Sequence, residues 1–250
     1  TSVTGPSIVV MRFSQVPIKD AMTQIAKCLD AEWQRNSMGH SLVRTPEIEA
    51  RIKKEAYDRK LEQIIAIQKK LHEDEVKLGP FTEQRANDLG MRFSAISQTM
   101  TDYNSGQWQA IEKIKQEAPI RSGIRRMIAM LDPRIIANAN PKRRLVFSNL
   151  PTKMQFSLGS PQREIDRIIS DQELFASAVK KFEKPKNPND YTYYDSEPGF
   201  KEALKKPSRI SLKVTFSDGG HLSGELSLFD EKGKLTARDY AYASATRDEM

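Results

Sequence analysis

The sequence predicts an α+β fold: a predominantly helical body with a long antiparallel helical hairpin, followed by a C-terminal three-stranded antiparallel β-meander. Two observations lead to this prediction. Apolar residues recur every three or four positions through most of the first 183 residues, which is the period of an amphipathic helix. From residue 208 the period changes to two, which is typical of strands buried on one face.

The change of period also predicts the domain organisation. We place a helical domain at 1–183, a linker rich in proline, asparagine and tyrosine at 184–207, and the β-meander at 208–250. Three strands that expose an apolar face are not stable alone. We therefore expect the meander to pack on the helices or on another chain.

The helical domain begins with a helix that opens at Pro17 and whose apolar stripe continues to Trp33. The hairpin follows at about 46–117. Its first helix starts with a capping threonine and a first-turn proline at 45–46, and it ends before Gly79-Pro80. Its second helix carries a heptad-like seam with alternating steps of three and four: Ala86, Leu89, Phe93, Ile96, Met100 and Tyr103. Because the connection is short, the two helices should pack antiparallel.

The segment 119–156 concentrates the positive charge of the protein. It contains eight basic residues and one acid, Asp132, so its net charge of +7 equals that of the whole chain. It begins with a short helix after Pro119, ends that helix at Asp132-Pro133, and continues as a loop to a strand at 145–147. Six of its cations are arginines, whose planar group suits phosphate. The candidate polyanion-binding residues are Arg121, Arg125, Arg126, Arg134, Lys142, Arg143, Arg144 and Lys153.

An alternative interpretation of these arginines stays open. Some of them can pair with acids of the long helices, and others can simply be solvated. The nearby Phe147 and Phe156 can stack on bases, although burial in a strand is the favoured interpretation.

The C-terminal third contains the remaining predicted elements. A helix starts at Ser160-Pro161, and a capping-box pattern at 170–173 predicts that it restarts there. The meander strands are predicted at 210–216, 222–228 and 235–242, with glycine-containing turns between them.

The composition narrows the class of protein. With 38% hydrophobic and 29% charged residues and no long apolar run, we expect a cytoplasmic protein without a membrane span or secretory leader, and an exported effector is the alternative. A single cysteine, Cys28, and three histidines provide little material for a metal site, so we predict neither a metal nor a cofactor. The phosphate-binding glycine motifs, the serine-nucleophile elbow and the zinc-protease motif are absent, which favours a binding protein over an enzyme.

Three functions are consistent with these patterns. The first is binding of a nucleic acid, RNA included, or another polyanion through the arginine-rich segment on its helical scaffold. The second is a protein-interaction or assembly module of a virion, secretion or effector scaffold, which would pair with another chain or with a second copy through the helical seam and the strand edges. The third, less favoured, is a toxin-like nuclease.

Overall fold

A computed structural model describes residues 12, 14–37, 39–99, 105–140, 143–159, 161–183, 202–217 and 219–244. Seven helices and seven strands lie in these residues, which confirms the α+β class. The chain divides into two compact units, Thr1–Arg59 and Lys60–Met250. None of the helices in the described ranges combines the length and apolar character that crossing a lipid bilayer requires.

The first unit contains α1 (Ile18–Cys28), the hairpin of β1 (Glu32–Asn36) and β2 (Gly39–Val43), and the start of α2 (Pro46–Leu78). The prediction of a helix reaching Trp33 is wrong. Asp30 adopts a left-handed backbone conformation (φ 46°), which ends the helical path. Trp33 instead lies in β1, and its indole Nε1 donates a hydrogen bond to the carbonyl of Met22 at 2.7 Å.

The helical core of the second unit is formed by α3 (Glu83–Thr99), α4 (Ser105–Glu117) and α7 (Gln162–Phe182). Leu89 and Phe93 of the predicted seam are fully buried there, together with Ile111, Ile114, Ala118, Phe175 and Val179. The hairpin prediction is therefore not confirmed as made, because α3 packs chiefly along α7 and α4. Gly90 permits this close approach, since a Cβ there would lie 2.8 Å from the carbonyl carbon of Ala178.

Two short helices, α5 (Pro119–Met130) and α6 (Pro133–Asn138), follow α4. The start of α5 at Pro119 agrees with the sequence prediction. The segment after Pro133 was predicted as a loop, but it is helical because the Asp132 carboxylate accepts a hydrogen bond from the backbone N–H of Arg134 at 2.9 Å and caps the first turn. The predicted restart at Ser170 is also wrong, since α7 is continuous across it.

The sheet of the second unit has five strands in the order β4-β3-β5-β6-β7. They are β3 (Leu145–Ser148), β4 (Phe156–Ser157), β5 (Arg209–Phe216), β6 (His221–Phe229) and β7 (Leu235–Ser244). The last three form an antiparallel meander, as predicted. The meander is not a separate sheet, however, because β3 pairs antiparallel with β5 and β4 pairs parallel with β3.

The buried face of the sheet packs on α5 of the same chain. Alternate residues of β5 and β6 are buried, which is the period that the sequence predicted. At Gly224 the helix comes so close that a Cβ would lie 2.6 Å from Cδ1 of Ile128 and 3.2 Å from Cγ2 of Ile124. The meander was expected to pack on the helices or on another chain, and it packs on the helices. Residues 184–201 of the predicted linker lie outside the described residues, and 202–207 contain neither helix nor strand.

Candidate polyanion interface

The arginines of α5 point into the protein. Arg121 is fully buried, and its Nε donates to the Asp239 carboxylate at 3.0 Å while its Nη1 donates to Glu112 at 2.7 Å. The guanidinium carbon lies 4.8 Å from the centre of the Tyr240 ring. These contacts join α5 to α4 and β7, so Arg121 serves as an internal connection in this fold.

Arg125 and Arg126 share the carboxylate of Glu75 on α2. Nε of Arg125 donates to Glu75 at 2.7 Å, and Nη1 of Arg126 donates to its other oxygen at 3.1 Å. Ser122 also donates to Glu75, and Nε of Arg126 donates to Glu164 of α7 at 2.6 Å. We call these five residues the α5 ion-pair network. It ties α2, α5 and α7 together, in agreement with the alternative that some arginines pair with acids of the long helices.

The electrostatics of these pairs reflect their burial. Burial raises the pKa of Glu164 above its ordinary value, and the charge of Arg126 offsets only part of that rise. Burial likewise raises the pKa of Asp239 against the lowering effect of Arg121. A phosphate could reach these guanidinium groups only by displacing carboxylates from desolvated surroundings, which is costly. We therefore leave Arg121, Arg125 and Arg126 out of the proposed contact surface.

The other predicted cations lie after α5. Arg134 is exposed and holds the Asp132 carboxylate with its Nε and Nη2, both at 3.0 Å. The hydrogen bonds from the Arg134 side chain and backbone lower the pKa of Asp132. Lys142 lies outside the described residues.

Arg143, Arg144 and Lys153 are exposed, and none of them forms an ion pair or a side-chain hydrogen bond with another described residue. We call these three residues the basic surface. Arg143 and Arg144 precede β3, and Lys153 lies just before β4. Because Phe147 and Phe156 pair in parallel strands, the segments that precede β3 and β4 lie at the same end of the strand pair. The sequence contains no Asp or Glu from 133 to 163, so this local positive charge is not balanced along the chain.

The two aromatic residues of the segment differ in exposure. Phe147 is buried, as the favoured interpretation of the sequence expected, whereas Phe156 remains 40% exposed. Their ring centres are 5.4 Å apart. Phe156 therefore presents part of its ring beside the basic surface.

Sequence reasoning missed two further residues in the loop that contains Lys153. Leu150 and Met154 are 62% and 85% exposed, although both are large and apolar. The exposure of Leu150 could have been predicted from its position before Pro151. This stretch of sequence favours a turn, in which an apolar side chain has no helix or strand to bury it.

The structure also contains a cavity of about 550 Å³ beside Arg125. Its charged lining includes the exposed Lys70, the ion pair of Lys77 with Asp74 at 3.9 Å, and Glu117. The charge of Arg125 is neutralised by Glu75, so the remaining positive and negative charges of the lining nearly balance. The cavity therefore offers a polyanion much less net attraction than the basic surface does.

The described residues contain no group of three or more histidine, cysteine, aspartate or glutamate side chains placed to hold a metal ion. Comparisons of the chain with protein-family models, curated proteins and solved structures found no match.

Proposed function

We propose that this protein binds a phosphate-bearing polyanion, such as a nucleic acid, through Arg143, Arg144 and Lys153. The observation that supports the proposal is the combination of three exposed cations that pair with no carboxylate among the described residues and a stretch of sequence, 133–163, that contains no acid. Cations in such surroundings keep their attraction for external phosphate, whereas paired cations lose most of it. Lys142, which precedes them in the chain, is the fourth candidate contact.

The contacts of this surface position a polyanion without reading its sequence. Guanidinium and ammonium groups bind phosphate oxygens, which every nucleotide carries. We therefore expect weak sequence preference and a strong dependence on salt. The helices and the ion-pair network of α5 serve as the scaffold that holds β3 and β4 in place.

The assembly alternative keeps one supporting observation. Leu89 and Phe93 of the predicted seam are buried within the second unit, so these two residues support no interface with another chain, whereas Met100 and Tyr103 of the seam lie outside the described residues. Strand β7, however, is an outer strand of the sheet, and Tyr240 and Tyr242 on it are half exposed. A partner strand could pair at that edge. This candidate is separate from the basic surface and is tested by measuring self-association at low concentration.

The test of the proposed function is binding of labelled single-stranded RNA and duplex DNA across a salt series. The variant is R143A/R144A/K153A. Losing three phosphate contacts should flatten the slope of log K against log salt by about 2 to 3. The matched control is K69A/K77A/R238A, which removes the same total charge at three exposed cations that lie beside carboxylates.

The control should bind almost as the wild type does, since each of its cations is already neutralised by a neighbour. Equal losses in the two variants would mean that net charge, and not this surface, governs binding. An unchanged slope in R143A/R144A/K153A for every polyanion tested would refute the proposal.

A further inference from the structure

The loop between β3 and β4 exposes apolar side chains, and Lys153 of the basic surface lies in the same loop. Leu150, Met154 and Phe156 lie within seven residues of one another, and Lys153 lies among them. Exposed apolar side chains grouped in this way commonly mark an interaction site. We call these three the apolar loop residues.

The backbone of this loop is held in place. The Asn149 side chain bridges to the neighbouring strand, donating to the Ser208 carbonyl at 3.2 Å and accepting from the backbone N–H of Ile210 at 2.8 Å. Within the loop, the N–H of Gln155 donates to the carbonyl of Thr152 at 2.9 Å. The apolar side chains are therefore presented by an ordered turn, which reduces the entropy that binding must remove.

The apolar surface continues beyond β4. A cavity of about 300 Å³ is lined by Met127, Met130, Leu131, Leu158 and Pro161. Met130 is exposed at its rim. Leu158 comes directly after β4 in the chain, so the cavity begins where the strand that follows the loop ends. Among the described residues that line it, the charged ones are Arg163, which is exposed, and Glu164, which is paired with Arg126.

We propose that this face docks on an anionic lipid bilayer, an inference that rests on the proposed function and names its polyanion. The apolar loop residues would enter the interfacial region of the bilayer, while Arg143, Arg144 and Lys153 contact lipid phosphates. Apolar side chains together with cations are the combination that binds anionic membrane surfaces, and here both lie in the stretch 133–163, whose sequence contains no Asp or Glu.

A bilayer accounts for more of the observed surface than a nucleic acid does. Proteins bind nucleic acids with cations and aromatic rings. Among the described residues of the segment 143–159, Phe156 is the aromatic residue with an exposed ring. Leu150 and Met154 have no face on which a base stacks, and contact with a polyanion in water would leave them exposed. A bilayer accommodates both the apolar and the basic side chains.

The experiment is co-sedimentation of the full chain with vesicles of phosphatidylcholine, either alone or mixed with phosphatidylserine. We expect binding only to the mixed vesicles. R143A/R144A/K153A should lower the partition coefficient about fivefold for each cation removed. L150S/M154S should lower it about a hundredfold, because the insertion of two apolar side chains is lost. The matched control V76S/M91S removes two other exposed apolar side chains and should bind as the wild type does.

A second measurement does not depend on L150S/M154S folding well. In the variant Met154→Trp, the added indole should show a blue-shifted emission with mixed vesicles and no shift with RNA. An unshifted emission with mixed vesicles would overturn the inference.

The remaining outcomes separate the two proposals. If R143A/R144A/K153A loses binding but L150S/M154S binds like the wild type, polyanion binding stands and the bilayer inference fails. Binding to RNA or DNA without binding to mixed vesicles has the same meaning and identifies nucleic acid as the polyanion. Equal binding to both vesicle types overturns the role of anionic lipid. If the basic-surface variant matches the wild type on every probe, both proposals fail.

Discussion

Replacing Glu75 with alanine should lower the free energy of unfolding by about 3 to 5 kcal/mol. The Glu75 side chain is only 7% exposed, and it holds two guanidinium groups and a hydroxyl. Nε and Nη2 of Arg125 lie 2.7 and 2.6 Å from one of its oxygens, and Nη1 of Arg126 lies 3.1 Å from the other. Removing the carboxylate leaves two buried cations short of a partner, which costs more than the attraction of one pair.

Glu73 provides the matched control on the same helix. Its side chain is 52% exposed, and its partner Lys69 is 3.9 Å away. Glu73→Ala should therefore change the free energy of unfolding by no more than about 0.5 kcal/mol. Urea unfolding followed by circular dichroism measures both variants. Glu75→Gln keeps the shape of the side chain and one acceptor oxygen, so it should fall between them and provides a folded variant if E75A does not fold.

A loss in E75A as small as that in E73A would refute the assignment. Arg125 and Arg126 would then not depend on Glu75, and they would return to the set of candidate phosphate contacts. Because E75A acts only on the internal network, its effect on stability is independent of whether a polyanion binds at all.

Two further predictions concern packing and pH. Gly90→Ala should lower the free energy of unfolding in urea by about 1 to 3 kcal/mol. The new methyl group would meet the backbone of Ala178 and push α3 away from α7. A variant more stable than the wild type would contradict this prediction. Burial raises the folded-state pKa of Glu164 above the ordinary value of 4.5, so its contribution to stability is fully present below that pH and is lost as pH rises through the folded pKa. The free energy of unfolding of the wild type minus that of Glu164→Gln should therefore fall as pH rises through this window, measured by unfolding at a series of pH values, and a rise in that quantity would contradict the prediction.

Local chemistry explains the elements that the sequence predicted well. Pro119 sets the start of α5, and alternation of buried and exposed residues sets the strands of the meander. The end of α1 was missed because it depends on the left-handed conformation of Asp30, a residue type that adopts it less often than glycine does.

The pairing of elements was less predictable than their identity. An amphipathic stripe indicates that a helix has a buried face, but it does not indicate which element covers that face. The apolar seam of α3 is compatible with packing against the helix before it or the helix after it in the chain. Its main partner is instead α7, about 80 residues away along the chain. The joining of β3 to β5 likewise depends on contacts between distant segments, since Leu145 pairs with Val214.

The candidate site shows the same limit. A charge count along the chain does not show which acids lie near in space: Arg121 pairs with Asp239, 118 positions away, and Arg125 pairs with Glu75, 50 positions away. Of the eight predicted cations, Arg143, Arg144 and Lys153 are exposed and lie in the part of the segment that contains no acid, and the proposed function now rests on this part of the prediction.

These pairings change the expected strength of the salt dependence. If all eight predicted cations contacted phosphate, the slope of log K against log salt would be about −6 to −7. With three arginines of α5 held internally and Arg134 held by Asp132, four cations remain, and the slope becomes about −3 to −4. A measured slope near −6 would require the α5 ion-pair network to open on binding. In that case, binding of the polyanion and unfolding of the network would be coupled, and E75A would bind more tightly than the wild type.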